Sequence, residues 1–165
     1  MGEVNKGGLV VMDLLSAKMI VYVDIFGHAQ KVYDGLVEYA KERIGGGRPI
    51  IQHSHIAQML GELSVRMEAT RSLIYRASWE NDQRQLAGAP VDLYWSLACY
   101  NYIRKVCWDL CQTALEIYGG VGVTPEMPVE RFLRRVSTWY VTGGVPSMNA
   151  IKCSMLHNDH KIVQG

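Results

Sequence analysis

The stretch Glu116-Ile117-Tyr118-Gly119-Gly120-Val121-Gly122-Val123-Thr124-Pro125-Glu126-Met127-Pro128-Val129-Glu130-Arg131 ends one long helical pattern and opens another through a glycine-rich turn. Gly119, Gly120 and Gly122 free the backbone to adopt positive φ and to approach another surface or a ligand closely. Pro128 stands where a helix can begin, and Glu130 falls in its first turn, where a negative charge suits the helix dipole. Two readings fit this spacing, a C-cap followed by a new helix or a backbone platform for a ligand, and local sequence leaves both open.

Outward from this turn the apolar residues recur every three or four positions, so the chain is expected to be all-α. A first helix is expected from Leu9 to Arg43, with Ile25, Ala29, Val32, Leu36 and Tyr39 on one face, ended by Gly45, Gly46, Gly47 and Pro49. A second runs from His53 to Leu86 on a stripe of Ile56, Met59, Leu60, Leu63, Met67, Thr70, Ile74 and Ala77, with Glu62 and Arg66 spaced to pair on its outer face. The third, Val91 to Tyr118, follows Gly88, Ala89 and Pro90, and it ends at the glycine turn. Two shorter helices, Pro128 to Tyr140 and Pro146 to His160, flank Thr142, Gly143 and Gly144. No strand is expected. Helices of roughly 28 to 35 residues are about 40 to 50 Å long, and short connections force them antiparallel. The fold expected is an up-and-down four-helix-type bundle whose fourth wall is built from the two shorter C-terminal helices. Tyr22, Tyr33, Trp79, Tyr94, Trp95 and Trp108 include aromatics off these stripes, which implies self-association or a partner domain.

Composition bounds the function. The chain has 165 residues, 48% of them hydrophobic and 20% charged, enough for one domain with a real core. A net charge of +1 without basic clusters interleaved with aromatics argues against nucleic acid. Leu9 to Phe26 is apolar, but Asp13, Lys18 and Asp24 would each cost roughly 2.5 to 3.5 kcal/mol at mid-bilayer, so a buried helix is expected and not a membrane span. Cys99, Cys107, Cys111 and Cys153 lie in helical patterns without the paired spacing of a zinc site. Buried reduced thiols and a cytoplasmic location follow. Cys107 and Cys111, one helical turn apart, read as core thiols before metal ligands. His157 and His160 read as a solvated terminal pair.

Taken in order, Gly2-Glu3-Val4-Asn5-Lys6-Gly7, Tyr39-Ala40-Lys41-Glu42-Arg43, Gly47-Arg48-Pro49-Ile50, Ile117-Tyr118-Gly119-Gly120-Val121-Gly122 and Pro128-Val129-Glu130-Arg131 resemble the C-terminal helical domain of the acyl-CoA dehydrogenase family. Each motif is weak alone; five in order and at the right separations, spanning nearly the whole chain, are specific. The resemblance implies residues 1–8 as the end of a linker from a middle β domain, 9–160 as the helical bundle and 161–165 as a tail. A complete subunit of that family has N-terminal and middle domains as well. The activity implied is FAD-dependent removal of two hydrogens from the α and β carbons of an acyl-CoA thioester, with electrons passed to an electron-transfer flavoprotein, in a homodimer or homotetramer.

That reaction needs a carboxylate to take the α proton. The family's usual glutamate falls on Gly143 here and its alternative, on the first helix, falls on Ala17; neither side chain accepts a proton. Asp24, two turns beyond Ala17, and Asp13, one turn before it, are the nearest substitutes, although a charge on an apolar helix face more often pairs with Lys or Arg. For the cofactor, the resemblance assigns Arg43 to the phosphates across a subunit interface and Gly119 and Gly120 to the adenine end; without it, Arg43 reads as a cation at a helix C-terminus. The family's aromatic after that arginine is Gly46 here, its second-helix glutamine is Ser54, and its glutamine before the glycines is Glu116. Its last-turn threonine is Val145, and Arg135 replaces an aspartate. Two functions follow: one domain of a flavoprotein dehydrogenase, inactive alone, or a non-catalytic helical interaction module. An unrelated helical bundle is the third possibility, and a different helix order would establish it.

Overall fold

The computed structural model describes residues 7–142 and 145–159. Five helices follow one another: α1 (Gly7–Glu42), α2 (Ser54–Leu86), α3 (Leu93–Tyr118), α4 (Pro128–Thr142) and α5 (Pro146–His157). All-α architecture and helix order agree with the periodicity, and the ends coincide or differ by at most three residues. One boundary has a clear cause. Asp92 caps α3, its carboxylate accepting from the Tyr94 N–H at 2.9 Å, while its own N–H donates to the Asn81 side chain at 3.2 Å. The helix therefore begins at Leu93, not at Val91.

Where no strand was expected, a short hairpin joins α1 to α2. Ile44 pairs with Pro49 and Gly45 with Arg48 in an antiparallel bridge of β1 (Ile44–Gly45) and β2 (Arg48–Pro49). Gly46 at φ +58° and Gly47 at φ +82° make its turn, in the left-handed region that glycine enters without steric cost. Only two residues pair on each side, too few for an alternating pattern to show.

α3 is the axis of the bundle and packs against α1, α2, α4 and α5. Its burial reflects this: Leu97, Tyr100, Ile103, Cys107, Leu110 and Ala114 face inward, and Cys99, Val106 and Cys111 are buried on other sides. The α2 stripe lies as its spacing requires, with Leu60, Leu63, Met67, Thr70, Ile74 and Ala77 buried and Ile56 and Met59 partly so. The Glu62–Arg66 pair does not form. Arg66 reaches across to Asp109 of α3 at 2.6 Å, and Glu62 accepts from Gln58 at 3.1 Å. Asp109 is less exposed than a carboxylate on the outer face of α2, so screening by water favours the cross-helix partner.

At the end where α4 finishes, Tyr22 of α1, Tyr100 of α3 and Trp139 of α4 form one aromatic cluster, ring centroids 5.1 to 5.8 Å apart. The Tyr100 hydroxyl donates to the Trp139 carbonyl at 3.2 Å, which satisfies an otherwise buried polar tip. Trp79, by contrast, stays half exposed on the outside of α2.

Candidate functional site

Because α1 and α3 run in the same direction, their C-terminal ends meet at one end of the bundle. Tyr39 and Tyr118 seal the junction with an edge-on contact, 4.7 Å between centroids. This brings Arg43 and the Gly119–Gly120 turn to the same end. The Arg43 backbone is fixed on both sides: its N–H donates to the Tyr39 carbonyl and its carbonyl accepts from the Ile50 N–H, each at 2.8 Å. Its side chain is exposed and makes no ion pair among the described residues.

The three turn glycines serve different needs. Gly119 sits at φ +64° as the C-cap of α3, its N–H on the Leu115 carbonyl. Gly122 is buried, and a Cβ there would lie 3.0 Å from the Tyr118 Cβ and 3.1 Å from the Leu115 Cδ2, so the chain can fold back over α3 only without a side chain. Gly120 is exposed, needs no positive φ, and a Cβ on it would meet nothing within 4 Å. The fold explains two of the glycines and leaves the third facing open space. Glu116 is exposed in the last turn of α3 beside them. Beyond the turn, Glu130 occupies the first turn of α4 as its position requires and pairs with Arg134.

The hairpin next to Arg43 carries a residue that helix patterns do not single out. His53 aims Nε2 at the Gly45 carbonyl, 2.9 Å away, and Nδ1 at the Arg48 guanidinium at 3.4 Å. The carbonyl accepts only, so Nε2 carries the proton. A Cβ on Gly46 would lie 3.2 Å from the His53 ring, so both the backbone angle and this ring disfavour a side chain there. The clue in the sequence was a histidine a few residues after a glycine run. Ser54 is simply the exposed first residue of α2.

Of the proposed base positions, the one whose side chain is described, Asp24, lies midway along α1. Gly143 lies outside the described residues, and so do the side chains of Asp13 and Ala17, whose backbones are part of α1. Asp24 is described, and its carboxylate is engaged: Arg135 of α4 donates to it at 2.5 Å, and the His28 ring lies 3.5 Å away. Arg135 also donates to His28 Nε2 at 3.0 Å, while His28 Nδ1 donates to the Asp24 carbonyl at 2.9 Å. The arginine that replaces the family's aspartate therefore has its counter-charge on a different helix.

The thiols are inert by burial. Cys99 and Cys111 are pushed up to about 12 by desolvation and Cys107 is raised as well, which keeps all three protonated near neutral pH. Cys153 is half buried, its sulfur accepting from the Asn101 amide at 3.8 Å. Among the described residues no three metal-ligating side chains gather. His157 stacks on Tyr94 at 4.9 Å and His160 lies outside the described residues.

The domain described as acyl-CoA dehydrogenase, C-terminal domain, matches residues 5–153, nearly the whole bundle with both of its ends. The chain belongs to that family. Among curated relatives, it is 34% identical over 143 residues to the caffeyl-CoA reductase-Etf complex subunit CarC of Acetobacterium woodii, covering 85% of this chain and 36% of that protein. It is 29% identical over 135 residues to cyclohexane-1-carbonyl-CoA dehydrogenase of Geobacter metallireducens, covering 81% and 34%. Butyryl-CoA dehydrogenase from Megasphaera elsdenii has the same fold, with a TM-score of 0.80 and 25% identity over 93% of this chain and 39% of that one. The chain thus spans just over a third of the length of the curated relatives it matches. Relatives in the family are FAD-dependent oxidoreductases acting on acyl-CoA thioesters. Among the described residues, no helix is long and apolar enough to cross a membrane.

Proposed function

We propose that this chain serves as the C-terminal domain of an acyl-CoA dehydrogenase-like flavoprotein, supplying a subunit interface and one side of the FAD site, and that it does not turn over substrate alone. The observation that carries this reading is that Arg43 and the Gly119–Gly120 turn follow directly on Tyr39 and Tyr118, whose contact puts them at one end of the bundle. A guanidinium without an ion-pair partner among the described residues and a glycine open to approach suit a diphosphate presented from outside. Gly46 under the His53 ring offers no aromatic surface, and Glu116 adds a negative charge beside the turn, so the fit is confined to the phosphate-facing elements.

When bound, FAD supplies a hydride acceptor for the β carbon. Neither usual base position can take the α proton, since Gly143 and Ala17 lack an acceptor; of the two substitutes, Asp24 is tied to Arg135 and the Asp13 side chain lies outside the described residues. The base, the N-terminal and middle domains, and most of the acyl-CoA pocket belong in this reading to a longer chain or a complementing subunit. In this reading the linker from the middle domain ends before Gly7, where α1 begins. The assembly is a homodimer or homotetramer, cytoplasmic, passing electrons to an electron-transfer flavoprotein. The experiment is to purify the protein with its natural partners and record flavin absorbance and native mass. Flavin retained by the parent assembly and lost in Arg43→Ala supports the reading; flavin retained equally by both rejects the role of Arg43.

A second reading, a non-catalytic helical oligomerisation or interaction module, is favoured by one observation: Asp24, a candidate substitute base, is already engaged by Arg135 in a group completed by His28. A stable oligomer without flavin in the same experiment selects it.

A further inference from the structure

Between α1 and the start of α4 lies a cleft of about 530 Å³. Its volume falls within the ~300–1,000 Å³ of small-molecule sites. Its floor is apolar, made by the buried side chains of Val32 and Phe132 with Met127 at one edge. Its rim is basic, with Lys31 on α1 facing Arg131 on α4. Neither makes an ion pair or a side-chain hydrogen bond among the described residues, and both are exposed. Arg135 completes the rim, held in place by Asp24 and His28.

The charges set the class of occupant. Lys31, Arg131 and Arg135 stand against two carboxylates, Asp24 bonded to Arg135 and Glu126 at the mouth. Glu126 stays ionised, its carboxyl lowered first by a hydrogen bond with the Thr124 side chain. His28 lends its Nε2 lone pair to Arg135 and is neutral in that arrangement. One positive charge is left in surplus over an apolar floor. A polyanion would exceed that charge, and a neutral apolar molecule would leave it unmatched. Lys31 is 12 residues before Arg43, about 18 Å along α1, so the cleft's basic rim on α1 is distinct from Arg43, while its opposite wall, Pro125 to Pro128, follows directly on the glycine turn.

We infer that this cleft is a binding site for an amphipathic monoanion, an aryl or alkyl carboxylate or sulfonate, with its apolar body on Val32 and Phe132 and its head between Lys31 and Arg131. The site does not depend on the dehydrogenase reading. The test uses the full chain and anilinonaphthalene sulfonate as probe, followed by fluorescence titration. One saturable site is expected, weakened about tenfold or more in Lys31→Ala/Arg131→Ala. Lys31→Gln/Arg131→Gln gives the same test with side-chain bulk retained, and both variants are compared at matched circular dichroism and melting temperature. Lys105→Ala/Lys152→Ala, which removes two exposed cations outside the cleft, is expected to leave binding unchanged. Equal affinity in parent and cleft variants overturns the proposal, as does equal weakening by the Lys105/Lys152 variant. Inorganic phosphate is expected not to displace the probe at millimolar concentration; displacement would overturn the amphipathic class.

Discussion

The two ends of this bundle are built on different principles. At the end where α1 and α3 finish, the backbone is tightly specified while Arg43 faces outward: it is anchored through both of its peptide groups, yet its guanidinium makes no ion pair among the described residues. At the end where α4 finishes, the side chains close on one another: Tyr22, Tyr100 and Trp139 pack together and Asp24 binds Arg135. An end that spends its polar groups internally is a structural joint, and an end that leaves them free is prepared for something outside. The difference separates loss of a chemical group from loss of a shape. The positions where the family resemblance expects a base, Ala17 and Gly143, carry none, whereas the glycine turn keeps a glycine that the fold itself does not require.

The largest effect should come from the closed end. Tyr100→Ala removes a buried ring that joins α1, α3 and α4 and is expected to cost about 3 to 5 kcal/mol of unfolding free energy in denaturant titration. A loss below about 1 kcal/mol would mean that the cluster does not hold that end together. At the open end, Gly122→Ala must push a methyl against Tyr118 and Leu115 and should cost about 1 to 3 kcal/mol, whereas Gly120→Ala should change stability by less than about 0.5 kcal/mol. Equal costs at both glycines would erase the distinction between a packing glycine and an approach glycine.

The core thiols connect the comparison to pH. Their folded-state values are raised above the ordinary thiol value of 9.0, to about 12 for Cys99 and Cys111, so the unfolded chain ionises first. Between those values the native state binds more protons, and stability falls as pH rises from 9 towards 12. Below 9 these groups contribute no slope. In native protein near neutral pH an aromatic disulfide reagent should react at Cys153 well before the other three, and with all four after unfolding. Rapid reaction of all four in the native state would contradict the packing around α3.

Smaller effects test the polar groups. Removing Asp24 or Arg135 breaks a half-exposed pair and should cost about 0.2 to 1 kcal/mol, with the coupling visible in a double-mutant cycle. Arg43→Ala should leave the melting temperature unchanged while lowering flavin retention in the assembly. If it destabilises the bundle instead, the open end is structural too.

Helix order was legible because α2 and α3 need apolar residues at three-and-four spacing along their buried faces, and Gly119 with Pro128 marks a stop and a start. The turn as a place where Arg43 and Gly120 meet needed the register of α1 against α3, which Tyr39 and Tyr118 set and which no local pattern contains. The same limit explains Arg66. Spacing reveals neighbours on one helix, so Glu62 was visible, while Asp109 is 43 residues away in the chain. Asp24 and Arg135 are 111 residues apart and come together only when α4 lies against α1. His53 escaped notice because its role is to hydrogen-bond a hairpin carbonyl, and the hairpin is too short for strand periodicity.

The two hydrogen bonds on the Arg43 backbone have a consequence for any docking event at that end. Since Tyr39 and Ile50 already fix the peptide groups, a partner that captures the guanidinium need not order a loop; it immobilises one side chain, a cost of about 0.5 to 1.5 kcal/mol. A single charge-assisted hydrogen bond, worth about 1.5 to 3 kcal/mol, already matches or exceeds that. The hairpin behind Arg43 thus holds its backbone ready, and association at this face should be limited by how the partner arrives, not by how this chain rearranges to receive it.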